Sequence, residues 1–174
     1  MYLISIYFDE KTNRRIQQYI DKVAEQTGNT FMLDGNVPPH ITVSAFETQN
    51  EVTVIEVLNS LAHHLKKGSL TWASIGQFFP YVIYMTPVLN AYLHEIAESI
   101  YDTLSVVGGV KVNTHYRPFQ WIPHTTIAKT LSKEEMRIAF EVLQESFGMF
   151  EGEVVKMGLA KPNPHRDIAT WELR

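Results

Sequence analysis

The sequence predicts an α+β fold of two pseudo-symmetric lobes, each a mainly antiparallel sheet with helices on its outer face, and an active-site cleft between them. Three observations predict it. Strand-like and helix-like periodicities follow one another as strand, helix, strand, helix, strand, and much the same order then repeats. Three landmarks recur 77 to 84 residues apart: Ile6-Tyr7 against Ile83-Tyr84, the segment at His40 against that at His124, and Ile75-Gly76 against Met157-Gly158. A chain of 174 residues with 45% hydrophobic content suffices for one core shared by two small lobes. The expected domain is therefore 1–174, with a first half-repeat at about 1–80, a second at about 81–174, and terminal strands free to exchange between lobes.

The elements follow from local pattern. Residues 2–8 read as a strand, and 11–26 as a helix with Ile16, Ile20 and Val23 on one face and Gly28 at its end. A loop with Gly35, Pro38 and Pro39 delivers the strand 40–46. A second helix is expected over 51–66, stopped by Gly68. Residues 69–79 and 81–86 read as strands turning at Pro80, where the missing N–H does least harm. Pro87 is expected to open a helix whose body is 89–104. The segment 106–122 is the least regular; strand 123–129 and helix 133–147 follow, the latter with Ser132 and Glu135 in capping-box spacing. Strands 151–161 and 168–173 close the chain.

Composition removes several classes of function. The formal charge is −4, which argues against gripping long duplex nucleic acid through a net positive field and leaves a short oligonucleotide or nucleotide in a local pocket. There is no cysteine, hence no disulfide, iron–sulfur cluster, cysteine zinc site or thiol nucleophile. The apolar run at 2–8 lacks a basic leader and is followed at once by acids, unlike a secretory signal. No apolar stretch approaches bilayer length, so the expectation is a cytoplasmic protein without membrane partners, and a monomer.

Two tetrapeptides carry the chemistry. Pro39-His40-Ile41-Thr42-Val43 and Pro123-His124-Thr125-Thr126-Ile127 each present His-x-Thr-aliphatic after a proline. Side chains alternate along a strand, so His40 shares a face with Thr42, and His124 with Thr126. Two such faces across a cleft surround a group the size of a phosphate with two imidazoles and two hydroxyls. An unperturbed imidazole titrates near pH 6.5, so one can take a proton while the other gives one, as phosphodiester cleavage requires. The threonines would donate to non-bridging phosphoryl oxygens. A bare His-x-Thr arises readily by chance; with the flanking proline and apolar residue the expectation falls to on the order of one hundredth. A metal centre on two histidines would want a third ligand, which neither motif supplies in the right alternation. Neither a metal nor a cofactor is expected.

On these residues the sequence resembles the two-histidine phosphoesterase superfamily, in particular its bacterial 2'-5' RNA ligase or RNA 2',3'-cyclic phosphodiesterase group. The resemblance implies a metal-independent enzyme with His40, Thr42, His124 and Thr126 as the catalytic quartet. It implies as partner an RNA terminus, oligonucleotide or nucleotide bearing a cyclic phosphate or 2'-5' linkage, hydrolysed or reversibly ligated. Many relatives carry an Arg soon after the second motif; here Lys129 stands there, with the charge but not the guanidinium fork. Two rival readings are a non-catalytic RNA- or nucleotide-binding module of the same fold, and an esterase for another small phosphoester such as a cyclic ADP-ribose derivative.

Candidate substrate contacts surround the second motif. Tyr116, Arg117, Phe119 and Trp121 combine a cation with aromatics in an irregular loop, suited to stacking a base and holding a phosphate, or to packing under the loop. Tyr7 and Tyr84 are expected at equivalent positions flanking the cleft, and Lys129 near its end. Ser44 is expected on the face of Thr42. Lys161 and His165 are expected near the turn between the last two strands, where His165 beside Arg166 could meet a terminal phosphate or be solvated only. His63 and His64 are expected on a helix surface facing away from each other, and His94 and His115 lack partners at a diagnostic spacing.

Overall fold

The computed structural model describes residues 1–162 and 165–174; residues 163–164, between the last two strands, lie outside the described residues. Strand β1 (Tyr2–Phe8) leads through helix α1 (Glu10–Thr27) and a short α2 (Phe31–Asp34) to β2 (His40–Glu47), which lies antiparallel beside β1. Asp9 caps α1 by accepting from the Thr12 N–H, and Gly28 ends it at φ 75°, a left-handed conformation in which a glycine is at ease. Helix α3 (Glu51–Ala62), strands β3 (Gly68–Phe78) and β4 (Val82–Pro87), and helix α4 (Ala91–Ser105) follow. After β5 (Lys111–Val112) and a 3-10 turn at Thr114–Tyr116 come β6 (Thr125–Lys129), α5 (Lys133–Ser146), β7 (Phe150–Pro162) and β8 (His165–Glu172).

Hydrogen bonding joins the strands in the order β5-β2-β1-β7-β3-β4-β6, with β8 also on β7. The long β7 makes this possible. One of its edges pairs with β1; the other pairs first with β3, from Phe150 to Val154, and then with β8, from Lys156 onward. The two lobes, β5-β2-β1 with β7 and β8 on one side and β3-β4-β6 on the other, thus share a ladder. Helices cross over between them. The helix after β1, α1, packs on α5 and β6, whereas α4, which follows β4, packs on α3, β2 and β5.

The core continues through this junction. Trp72 is wholly buried, edge-on to Phe8 at 4.9 Å and stacked on Phe150 at 5.0 Å, and its indole N–H donates to the buried Thr125 hydroxyl over 3.2 Å. A polar atom taken into an apolar core is thereby satisfied.

Several boundaries differ from expectation for local reasons. Helix α3 ends at Ala62, and Gly68 opens β3 instead of stopping the helix; its missing Cβ makes room for the Tyr92 ring. Pro87 closes β4, and α4 begins only at Ala91, because Asn90 supplies the cap, accepting from the Leu93 N–H over 2.9 Å. The capping box of Ser132 and Glu135 is formed as its spacing predicts. Among the described residues no helix is long and apolar enough to cross a membrane.

Candidate active site

His40 opens β2, and His124 immediately precedes β6. Each ring is held in the same way. Nδ1 of His40 is 2.9 Å from the carbonyl of Pro38, and Nδ1 of His124 is 2.9 Å from the carbonyl of Ile122, two residues upstream in both cases. A carbonyl only accepts, so each Nδ1 carries the hydrogen and each neutral Nε2 keeps its lone pair. The X-Pro-His order accounts for the match: a residue before proline is held extended, which turns its carbonyl toward the ring two positions on.

The threonines follow by register. On β2, His40 pairs with Tyr7 and Thr42 with Ser5; the Thr42 and Ser5 hydroxyl oxygens are 3.3 Å apart. On β6, Thr126 pairs with Tyr84. Immediately after each threonine the ladder slips by one residue, at Val43 in one lobe and at Ile127 in the other. Such bulges re-aim the side chains beyond them. Ser44 consequently pairs with Ile4, on the face opposite Thr42, and not on the face that simple alternation gives it. Its hydroxyl is buried without a hydrogen-bond partner among the described residues.

The same register corrects the pairing of the tyrosines. Ser5, and not Tyr7, is the counterpart of Tyr84, since each of these two stands opposite the threonine of its motif. Both tyrosines nevertheless border a histidine: the Tyr7 ring is 5.9 Å from that of His40, and the Tyr84 ring 5.3 Å from that of His124. Both lie over a glycine of the next strand, Tyr7 over Gly158 and Tyr84 over Gly76. Phe78 meets the His124 ring edge-on at 4.8 Å.

Strands β2 and β6 stand at opposite ends of the strand order, one of them flanked only by the two-residue β5, yet the sheet curls until they touch. Trp121 links them, its indole N–H donating to the Thr42 carbonyl over 3.1 Å. Electrostatics reflect the approach. Burial pulls His40 below its ordinary pKa, against the Pro38 carbonyl bond, and positive charge on His165 and His124 pulls it the same way. Burial likewise lowers His124, against the Ile122 bond. Burial first and Asp167 second push the Tyr7 phenol up to about 12, so it remains a donor at neutral pH.

A cavity of about 430 Å³ adjoins His124, lined by Phe78, Asn113, His115, Tyr116, Gln120, Trp121 and Ile122 together with the histidine. Of the candidate substrate contacts, Tyr116 and Trp121 line this cavity, together with Phe78, Asn113, His115 and Gln120, which the sequence did not single out for it. Only the topology brings β3 and the 3-10 turn to this place. Arg117 is exposed just beyond the turn and has no ion-pair partner among the described residues. Phe119 is largely exposed, its ring 4.4 Å from that of His94, instead of packing under the loop. Lys129 lies at the far end of β6, about 16 Å from His124 by strand rise, with its ammonium 5.8 Å from the Phe31 ring. Lys161 lies 2.9 Å from the Glu51 carboxylate and over the Tyr2 ring. His165 pairs with Asp167 at 3.2 Å. Among the described residues no three His, Asp or Glu side chains converge as a metal-binding set.

A model of the 2'-5' RNA ligase superfamily matches residues 12–166, nearly the whole chain, both motifs included. The chain belongs to the 2'-5' RNA ligase superfamily. Its fold is that of E. coli LigT, whose complex with 3'-AMP superposes with a TM-score of 0.62 at 16% identity, covering 99% of this chain and 97% of LigT. TT0787 of Thermus thermophilus superposes equally well, at 0.62 and 15% identity, covering 99% of this chain and 97% of that one. No curated protein matches the chain. Membership in the 2'-5' RNA ligase superfamily gives the chain an activity of phosphoesterase or ligase type.

Proposed function

We propose that this superfamily member is a metal-independent phosphoesterase that opens 2',3'-cyclic phosphates or cleaves, and reversibly forms, 2'-5' phosphodiesters in RNA or nucleotides. The observation that carries the reading is the matched pair of Nδ1–carbonyl bonds, which leaves two Nε2 atoms free to exchange protons with substrate. In the opening of a cyclic phosphate, a neutral Nε2 takes a proton from water as its oxygen bonds to phosphorus. The bond from phosphorus to the 2' or 3' oxygen breaks, and the other, protonated histidine delivers its Nε2 hydrogen to that oxygen. The Thr42 and Thr126 hydroxyls donate to the non-bridging oxygens, where charge shifts in the transition state. With a 5'-hydroxyl in place of water as the attacking oxygen, the same steps join two ends through a 2'-5' bond as the 3' oxygen leaves, and their reverse cleaves that bond to a cyclic phosphate and a 5'-hydroxyl.

The cavity beside His124 suits the base of the nucleoside, between the faces of Phe78, Tyr116 and Trp121, with Arg117 outside it for a chain phosphate. Tyr7 and Tyr84 flank the two imidazoles and would contact the sugar-phosphate between them. That E. coli LigT crystallises with 3'-AMP and with ATP agrees with a nucleotide substrate. Product analysis tests the reading: nucleoside 2',3'-cyclic phosphates should give a single 2'- or 3'-monophosphate, and a 2'-5'-linked dinucleotide should be cut. Tight binding of both without turnover would replace the enzyme by a binding module.

A further inference from the structure

The two motif strands are not hydrogen-bonded to each other, so something other than the ladder must set the gap between their histidines. The outer edge of β2 is covered stepwise. Glu47 and Phe46 pair with Lys111 and Val112 of β5, and the Asn113 N–H continues the series to the Ala45 carbonyl over 2.8 Å. The chain then leaves the edge at the 3-10 turn and returns with Trp121, whose indole N–H reaches the Thr42 carbonyl. Among the described residues this is the one hydrogen bond between β2 and the segment from Arg117 to Lys129. It lands on the threonine of the first motif, at the bulge, and departs three residues before the histidine of the second. The indole packs against the core, so the link is a rigid ring with two torsions and not a flexible chain.

We propose that Trp121 is a positioning residue: its indole ties the segment carrying His124 to the strand carrying His40 and so holds the two imidazoles at their working separation. The proposal rests on the two-histidine reading, and it gives Trp121 a role in addition to bordering the base, carried by its N–H and not by its ring face. Its ring borders the cavity, but its only polar atom is committed to Thr42.

The test compares wild type with Trp121→Phe, which keeps an aromatic ring and loses the donor. A benzothienylalanine at 121, the same shape with sulfur for N–H, serves where phenylalanine fails to fold. Both should lower kcat roughly 10- to 100-fold, the scale of a 1 Å misplacement, and leave KM within about twofold. The loss should be equal on a nucleoside 2',3'-cyclic phosphate and on base-free ribose 2',3'-cyclic phosphate. A rise in KM confined to the base-bearing substrate, with kcat retained, would overturn the proposal and leave Trp121 a stacking role alone. A second readout does not depend on turnover. The chain has no cysteine, so spin labels at Gln49→Cys, just beyond β2, and Lys133→Cys, at the start of α5 just beyond β6, both exposed, report the separation of the segments that follow the two motif strands. Loss of the indole N–H should lengthen or broaden that distance distribution, and an unchanged distribution would overturn the proposal. If wild type turns over neither substrate, the phosphoesterase reading fails while the distance measurement still decides the role of Trp121.

Discussion

Gly76 lies beneath the ring of Tyr84: a Cβ built on it would stand 2.5 Å from Tyr84 Cζ, and the same ring borders His124. Gly158 carries Tyr7 beside His40 in the same manner, its added Cβ falling 2.8 Å from Tyr7 Cε2. Both tyrosines are buried, so neither ring can swing aside freely. Gly76→Ala should therefore cost about 1–3 kcal/mol of stability by overpacking and should disturb His124 as well. The checks are the denaturant midpoint and kcat; a variant of unchanged stability and unchanged kcat would remove the supporting role of the glycine.

Ser44 makes the opposite case. Its hydroxyl is buried without a partner among the described residues, on the core face to which the bulge turns it. Ser44→Ala removes that unsatisfied group and should leave stability unchanged or raise it by about 1 kcal/mol, with turnover intact. Equilibrium unfolding in urea measures it. A loss above about 2 kcal/mol would mean that the hydroxyl has a partner.

Much of this was legible in the sequence, and what was not has a common cause. The motif strands, the helix faces and the capping box are local patterns, and they appear where period and spacing put them. A bulge is not local: it exists only relative to the neighbouring strand, so alternation read along β2 put Ser44 on the wrong face. Matching the two Ile-Tyr dipeptides by letter likewise paired Tyr7 with Tyr84, whereas the ladder pairs Ser5 with Tyr84. The Lys161–Glu51 contact spans 110 residues of chain, a pairing no local pattern announces. Phe78 comes to the site through the strand order β3-β4-β6, packing on Tyr84 and His124, which no single strand announces.

The histidines should govern the pH dependence. Burial lowers both below the ordinary value of 6.5, with His40 further depressed by positive charge on His165 and His124. The acid limb of kcat/KM, where the base becomes protonated, should therefore lie below pH 6.5. Stability follows the same sign. The unfolded chain binds these protons more readily than the folded one, so stability is full above about pH 6.5 and declines as pH falls through the folded values. An acid limb centred above 6.5, or stability rising as pH drops through this window, would contradict the burial account.

The threonines differ in their surroundings. Thr42 has the Ser5 hydroxyl 3.3 Å away, while Thr126 has no side-chain partner among the described residues. Thr42→Val and Thr126→Val should each lower kcat by roughly 10- to 1,000-fold, the range for losing an oxyanion donor, and Ser5→Ala should do less. Steady-state kinetics on a cyclic phosphate decides the order; a Ser5→Ala loss equal to that of Thr42→Val would give the serine the donor role.

The central claim is that two histidines, without a metal, perform the acid–base chemistry. The most direct measurement is the initial rate of nucleoside 2',3'-cyclic phosphate opening in excess chelator by wild type, His40→Ala and His124→Ala. The account predicts an undiminished wild-type rate and a drop of about 10²- to 10⁴-fold in kcat/KM for either variant. Wild-type activity abolished by chelator, or retained in either alanine variant, would contradict it.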